Sequence, residues 1–125
     1  MSKQLFNHIN NKLDKLLENT GDMALKRRAR EIIMALDVKA GDNILEVGCG
    51  DGYYLHLLSN LGVKINLTGI DIDKRALEAA KKHLKGKKVK LIEVDLMKGI
   101  PFSGRMFDKV VMSEVAEHLP DDVKG

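Results

Sequence analysis

The stretch Ile44-Leu45-Glu46-Val47-Gly48-Cys49-Gly50-Asp51-Gly52 constrains the fold more than any other part of the chain. A mostly apolar run reads as a buried parallel strand, and three glycines at alternate positions follow it. An amphipathic segment, 53–61, begins at once. Strand, tight turn and helix start in that order form the opening unit of an α/β sheet. Glycines there allow positive φ and leave no Cβ between a ligand and the backbone. The helix start adds free N–H groups and partial positive charge. A nucleotide-like ligand suits such a turn.

The spacing narrows the nucleotide. Dinucleotide folds use G-x-G-x-x-G, with the pyrophosphate on the helix N-terminus. Here the third glycine comes one residue early, and the pattern is E-x-G-x-G-x-G. Glu46 stands at the end of the strand, where its carboxylate repels a pyrophosphate and favours a cationic, amine-bearing ligand. A nicotinamide-dependent oxidoreductase is therefore the disfavoured reading.

The remaining segments alternate. Leu5, Phe6, Ile9, Leu13, Leu16 and Leu17 recur at helical spacing. Thr20-Gly21-Asp22 breaks that helix, and a second is expected over Met23 to Leu36. After the first strand comes a second ending in Thr68-Gly69-Ile70-Asp71-Ile72-Asp73. Asp71 falls about 20 residues past the glycine turn, where nucleotide-binding folds place the carboxylate that accepts ribose hydroxyls. Asp73 reads as the N-cap of a helix from Lys74 to Lys85. A third strand, Val89 to Val94, ends in Asp95-Leu96, and a fourth, Phe107 to Met112, ends in Ser113-Glu114. Asp71, Asp95 and Ser113-Glu114 all lie at carboxyl ends of strands, where open α/β sheets bind ligands.

Taken together, the glycine turn, Thr68 to Asp73, Asp95 to Phe102 and Phe107-Asp108-Lys109-Val110-Val111 resemble the class I S-adenosylmethionine-dependent methyltransferases. The resemblance covers about Met23 to the C-terminus. It implies a Rossmann-like three-layer α/β sandwich with a mainly parallel sheet in the order 3-2-1-4. Residues 1–22 are an N-terminal amphipathic helix ahead of a cofactor domain at 23–125. It implies S-adenosylmethionine as cofactor, held by Glu46, Gly48, Cys49, Gly50, Gly52, Asp71, Ile72, Asp95, Leu96 and Ser113. In that picture Glu46 orients the turn and the methionine moiety, Asp71 binds ribose, Ile72 packs on adenine, and Asp95 and Leu96 bond its edge. As bland readings, Asp71 is an ordinary strand-end carboxylate and Asp95 a turn cap.

Ser113-Glu114-Val115-Ala116-Glu117-His118 follows the fourth strand. A helix there stacks Glu114, Glu117 and His118 on one face. Glu114 and His118 are the candidates for a catalytic base. The same three side chains resemble the metal-binding segment of the small-RNA terminal 2′-O-methyltransferases. That family needs a further histidine downstream, so the expectation is no metal here and an acidic helix start instead. The methyl acceptor, small molecule or RNA, is not legible. Class I members run to about seven strands, whereas four are visible here. The chain is thus expected to work as a homo-oligomer, with a partner subunit, or with a C-terminal half, and a non-catalytic cofactor-binding role is the alternative.

Composition excludes some classes. The chain has 125 residues, one cysteine and a net charge of +3. That suffices for one domain and rules out an internal disulfide. No apolar run suits a membrane span and residues 1–19 do not read as a secretory signal, so a cytoplasmic, membrane-free setting is expected. Cys49 has no neighbouring base and reads as a turn residue, not a nucleophile. His8, His56 and His83 read as structural or exposed. Basic residues crowd 64–90, as a solvated face or a phosphate-contacting patch.

Overall fold

The computed structural model describes residues 1–99, 102 and 106–112. In chain order the elements are α1 (Lys3–Leu17), α2 (Met23–Ala35), β1 (Asn43–Val47), α3 (Tyr53–Ser59), β2 (Asn66–Asp71), α4 (Lys74–His83), β3 (Val89–Glu93), a 3₁₀ turn (Leu96–Lys98) and β4 (Lys109–Val111). The strands form one parallel sheet in the order β3-β2-β1-β4, as the family resemblance implies.

Side-chain caps set the starts of α1, α2 and α4. Ser2 accepts from Leu5 N–H, Asp22 from Ala24 and Leu25, and Asp73 from Arg75 and Ala76. Each satisfies donors that have no partner within the helix. Two strands are shorter than expected. At β4 the reason is local: Asn43 N–H donates to the Asp108 carboxylate (2.7 Å), so the regular ladder begins at Lys109.

The strand alternation divides the core. Ile44, Leu67, Val89, Leu91 and Val111 face the helices, together with Ile9, Leu13 and Leu17 of α1, Ile33 of α2, Leu55 and Leu58 of α3, and Leu77 of α4. All four helices thus share one core on one face of the sheet. Residues 1–22, set apart by the sequence pattern, bury their apolar stripe in that same core. Arg30 of α2 pins α1 through Asn10 (2.5 Å) and Asp14 (2.6 Å). Leu45, Val47, Ile70 and Val94 point to the opposite face, where Ile92, Leu96, Phe102 and Phe107 pack on them. The helical layer expected on that face falls outside the described residues.

α3 presses directly on β2. A Cβ on Gly69 would sit 2.6 Å from Leu55 Cδ1 and 2.9 Å from Cys49 Sγ. Glycine at 69 therefore allows the close approach that seats α3, and with it the turn before α3. Truncating Leu55, which is fully buried, to Ala would leave a cavity costing roughly 2–5 kcal/mol.

Candidate functional site

The glycine turn leaves β1 at its carboxyl end and is fastened to β2. Gly48 and Cys49 both donate to the Ile70 carbonyl, at 2.8 and 3.0 Å. Gly48, Gly50 and Gly52 all take positive φ (71°, 56° and 88°). Their surroundings differ. A Cβ on Gly50 would meet nothing within 4 Å, whereas one on Gly52 would lie 3.1 Å from Leu84 Cδ1 and 3.3 Å from Ala80 Cβ. Gly50 thus lines open space, and Gly52 lets α4 pack on the start of α3. The sequence reading gave all three glycines one role, and the structure separates them.

Asp71 joins the turn to β2. Its Oδ2 accepts from Gly50 N–H (2.8 Å) and its Oδ1 from Asp73 N–H (2.8 Å). A carboxylate offers about four lone-pair sites, so both oxygens retain capacity for ligand hydroxyls. Beside it, Ile72 is 61% exposed, an apolar side chain held in solvent at a strand end. Val94 N–H donates to the Asp71 carbonyl (2.9 Å), which brings the end of β3 alongside. Asp95 Oδ1 accepts from Met97 N–H (3.0 Å) and so caps the 3₁₀ turn, while Leu96 is half-buried on the second face. Glycine turn, Asp71-Ile72 and Asp95-Leu96 therefore stand side by side across three adjacent strand ends.

A cleft of about 380 Å³ opens at the turn, lined by Cys49, Gly50, Asp51, Tyr53 and Tyr54. The Tyr53 hydroxyl is buried and has no hydrogen-bond partner among the described residues. Such a group costs free energy until something bonds it. Among the described residues no side chain caps α3. An open space at Gly50, an orphan hydroxyl and a carboxylate with spare lone pairs fit a ligand carrying hydroxyls, a carboxylate and positive charge.

Glu46 is fully buried on the helix-covered side of β1, directly before the turn. Cys49 points inward as well and is 2% exposed. Burial, and then the nearby Glu46 and Asp71 carboxylates, push its thiol up from 9.0 to about 12. The thiol stays protonated at neutral pH, which disqualifies it as a nucleophile.

Two residues of the site escaped the sequence reading. Tyr53 gave one signal, an aromatic directly after the glycines. His83, read as structural or exposed, donates through Nδ1 to the Asp51 carbonyl (2.8 Å) and so braces the turn from α4. No sequence spacing announces that contact. His8 bonds the Leu61 carbonyl (2.8 Å) and ties α1 to the end of α3. Ser113, Glu114, Glu117 and His118 lie outside the described residues. No helix among the described residues is long and apolar enough to cross a membrane.

Comparison with known proteins places this geometry in context. Residues 44–125 match the model of a family described as a methyltransferase domain. A Bacillus subtilis (strain 168) protein, "Uncharacterized methyltransferase YdaC", is 32% identical over 93 residues, covering 74% of this chain and 51% of the relative. The "Ubiquinone biosynthesis O-methyltransferase" of Nitrosospira multiformis is 35% identical over 86 residues, covering 67% of this chain and 35% of the relative. The crystal structure of the methyltransferase domain of bacterial CtHen1 superimposes with a TM-score of 0.67 at 28% identity, covering 79% of this chain and 55% of that one. The chain spans about half or less of the length of these two curated relatives.

Proposed function

The chain belongs to the class I S-adenosylmethionine-dependent methyltransferase family, and from that premise we propose that it binds S-adenosylmethionine across the carboxyl ends of β3, β2 and β1 and directs its methyl group to an acceptor oxygen. The observation that carries the cofactor reading is the Asp71–Gly50 hydrogen bond, which sets a strand-end carboxylate beside an open glycine. The oxygen acceptor rests on the relatives named as O-methyltransferases.

In this reading the residues divide the cofactor among them. Asp71 accepts the ribose hydroxyls with its remaining lone pairs. Ile72 covers one face of adenine, and Asp95 and Leu96 bond its edge. Gly50 keeps the backbone low enough for the ribose to pass. The methionine end lies over β1, where Glu46 holds the turn from beneath, next to Gly48, Cys49 and Gly52. Bound there, the cofactor supplies an electrophilic methyl group on a positive sulfur, with a neutral thioether as leaving group. The protein's share is proximity, orientation and exclusion of water. Ser113 would close the cofactor side after β4, and Glu114 or His118 would take the acceptor proton.

Titration calorimetry with S-adenosylhomocysteine and with NAD tests the cofactor reading. Binding of the first and not the second is expected; NAD binding alone would refute it. Transfer of labelled methyl to a panel of alcohol, phenol, amine and thiol acceptors tests the oxygen preference. Preferential labelling of amines or thiols would refute that part.

A further inference from the structure

Charge is spread unevenly along the chain, and its densest cluster lies on the segment that ends α4 and leads into β3. Between Lys81 and Lys90 stand six lysines, Lys81, Lys82, Lys85, Lys87, Lys88 and Lys90, with no Asp or Glu among them. The whole chain carries +3, so everything outside that segment sums to −3. Folding turns the run into a surface. Leu77, Ala80 and Leu84 go into the core, which leaves Lys81, Lys82 and Lys85 outward. The chain reverses at Gly86 (φ 83°) and enters β3, which is an edge of the sheet among the described residues. All six lysines are exposed.

Structural duties account for only part of this charge. Lys81 pairs with Glu78 (3.3 Å) and Lys87 Nζ donates to Asn60 Oδ1 (2.8 Å). Cations at the end of α4 complement its dipole, and a lysine on an edge strand deters strand pairing. Among the described residues Lys82, Lys85, Lys88 and Lys90 make no side-chain hydrogen bond or ion pair. Val89 and Leu91 face the helices, so alternation along β3 turns Lys90 to the opposite face of the sheet. Lys82 and Lys85 at the end of α4 and Lys88 in the exit loop remain as three unpartnered cations that repel one another in the absence of an anion.

We propose that this face docks the phosphate backbone of double-helical nucleic acid. The composition selects among polyanions. An anionic membrane would call for exposed apolar side chains to insert, and none of the exposed large hydrophobic residues lies between Lys81 and Lys90. A protein partner would call for aromatic or arginine anchors, and the segment has neither, while lysine is depleted at such interfaces. Single strands are gripped by stacking bases on aromatic rings, which are also missing. A row of lysines acting as point charges suits phosphates held at the fixed spacing of a duplex. This proposal stands apart from the cofactor reading: within the segment His83 bonds the Asp51 carbonyl and Leu84 packs against Gly52, while the side-chain bonds of the lysines go to Glu78 and Asn60 and not to the turn.

Fluorescence anisotropy with a labelled RNA duplex of about two helical turns, titrated between roughly 50 and 200 mM salt, tests the proposal. The wild-type chain should bind with a slope of log K against log salt of about −3 to −5. Replacing Lys82, Lys85 and Lys88 together by Gln should flatten that slope by roughly two to three and weaken binding about 10- to 100-fold at intermediate salt. Replacing the same three by Arg should preserve both, and S-adenosylhomocysteine affinity should stay constant in all three proteins. Unaltered duplex binding by the Gln variant would overturn the proposal. So would tighter binding to the single strand, to poly-glutamate or to phosphatidylserine vesicles, or no salt-dependent duplex binding by wild type. Loss of S-adenosylhomocysteine binding by wild type would strike the cofactor reading alone.

Discussion

The two ends of the sheet solve opposite problems. At the amino end, polar groups close on one another. Asp42 Oδ2 accepts from Lys39 N–H (2.8 Å) and pairs with Lys109 Nζ (3.2 Å), which also donates to the Asp37 carbonyl. Gly41 N–H donates to the Lys64 carbonyl (2.6 Å), and Asn66 N–H to that of Asp42 (2.8 Å). At the carboxyl end the same residue types leave capacity unspent: Asp71 keeps free lone pairs, Tyr53 Oη has no partner among the described residues, and Gly50 borders open space. Polar groups satisfied within the chain hold the fold together. Polar groups left available at a rigid edge are available to a ligand. If the division is real, substitutions at the carboxyl end change affinity and spare stability, and substitutions at the amino end do the reverse.

The largest effect should come from Gly50→Val. A branched side chain at φ 56° is strained and would fill the space beside Asp71. S-adenosylhomocysteine binding should fall by more than about 100-fold, equivalent to roughly 2.7 kcal/mol. Because an added Cβ meets no protein atom, far-ultraviolet dichroism should remain native-like. Wild-type affinity in the folded variant would show that the ligand does not pass Gly50.

Asp71→Ala comes next. It removes an acceptor that serves both the turn and the proposed ribose hydroxyls. Hydrogen bonds to a charged group contribute roughly 1.5–3 kcal/mol, so affinity should fall about 10- to 100-fold. Asp71→Asn, which keeps one acceptor, should lose less. Equal affinity in all three proteins would remove Asp71 from the site.

Much of this was legible in the sequence. The alternation of apolar runs with helical segments gave the strands and helices, and the glycine pattern with Asp71 pointed to the carboxyl edge of the sheet, where the structure sets Asp71 beside Gly50. The family likeness, not periodicity, supplied the strand order, because period-two patterning says which face a residue takes and nothing of which strand lies beside it. The separate duties of Gly50 and Gly52 were invisible, since they depend on where α4 packs. So were the contacts of His83 with Asp51 and of Lys109 with Asp42, separated by 32 and 67 positions in the chain. Long-range pairs of polar residues leave no local pattern. Asp95 shows the limit from the other side: its turn-capping bond is observed, and its contact with adenine stays a proposal.

The amino end supplies the contrasting test. Asp42→Ala would leave the half-buried Lys109 ammonium without its carboxylate and free the Lys39 N–H. Stability should drop by about 2 kcal/mol, read from chemical denaturation, with cofactor affinity unchanged. A loss of affinity as large as that of Asp71→Ala would erase the distinction between the two ends.

Tyr53→Phe should sharpen it. A buried hydroxyl without a partner destabilises the ligand-free fold, so its removal should leave the melting temperature unchanged or higher. If the hydroxyl donates to the methionine carboxylate of the cofactor, S-adenosylhomocysteine should bind about tenfold more weakly, a change of roughly 1.4 kcal/mol. Methylthioadenosine, which lacks the amino-acid end, should bind the two proteins alike. A parallel loss for both ligands would mean that Tyr53 acts only through packing.

The smallest effect concerns Cys49, which belongs to the carboxyl end by position and to the closed core by orientation. Neighbouring residues of one turn thus face opposite ways, Gly50 toward open space and Cys49 toward Gly69 and Leu55. Burial holds the thiol at about 12 against 9.0 when unperturbed. From about pH 9 to 12 the unfolded thiol has released its proton while the folded one retains it. The unfolded state then binds fewer protons, so stability falls as pH rises; the contribution is intact below about pH 9 and gone above about 12. Wild type should therefore lose stability more steeply than Cys49→Ala over the accessible part of that range. Iodoacetamide at neutral pH should label the thiol far more slowly in the folded protein than in denaturant. Rapid labelling of the native protein would mean that the turn opens on both sides, toward Gly69 as well as toward the space beside Gly50.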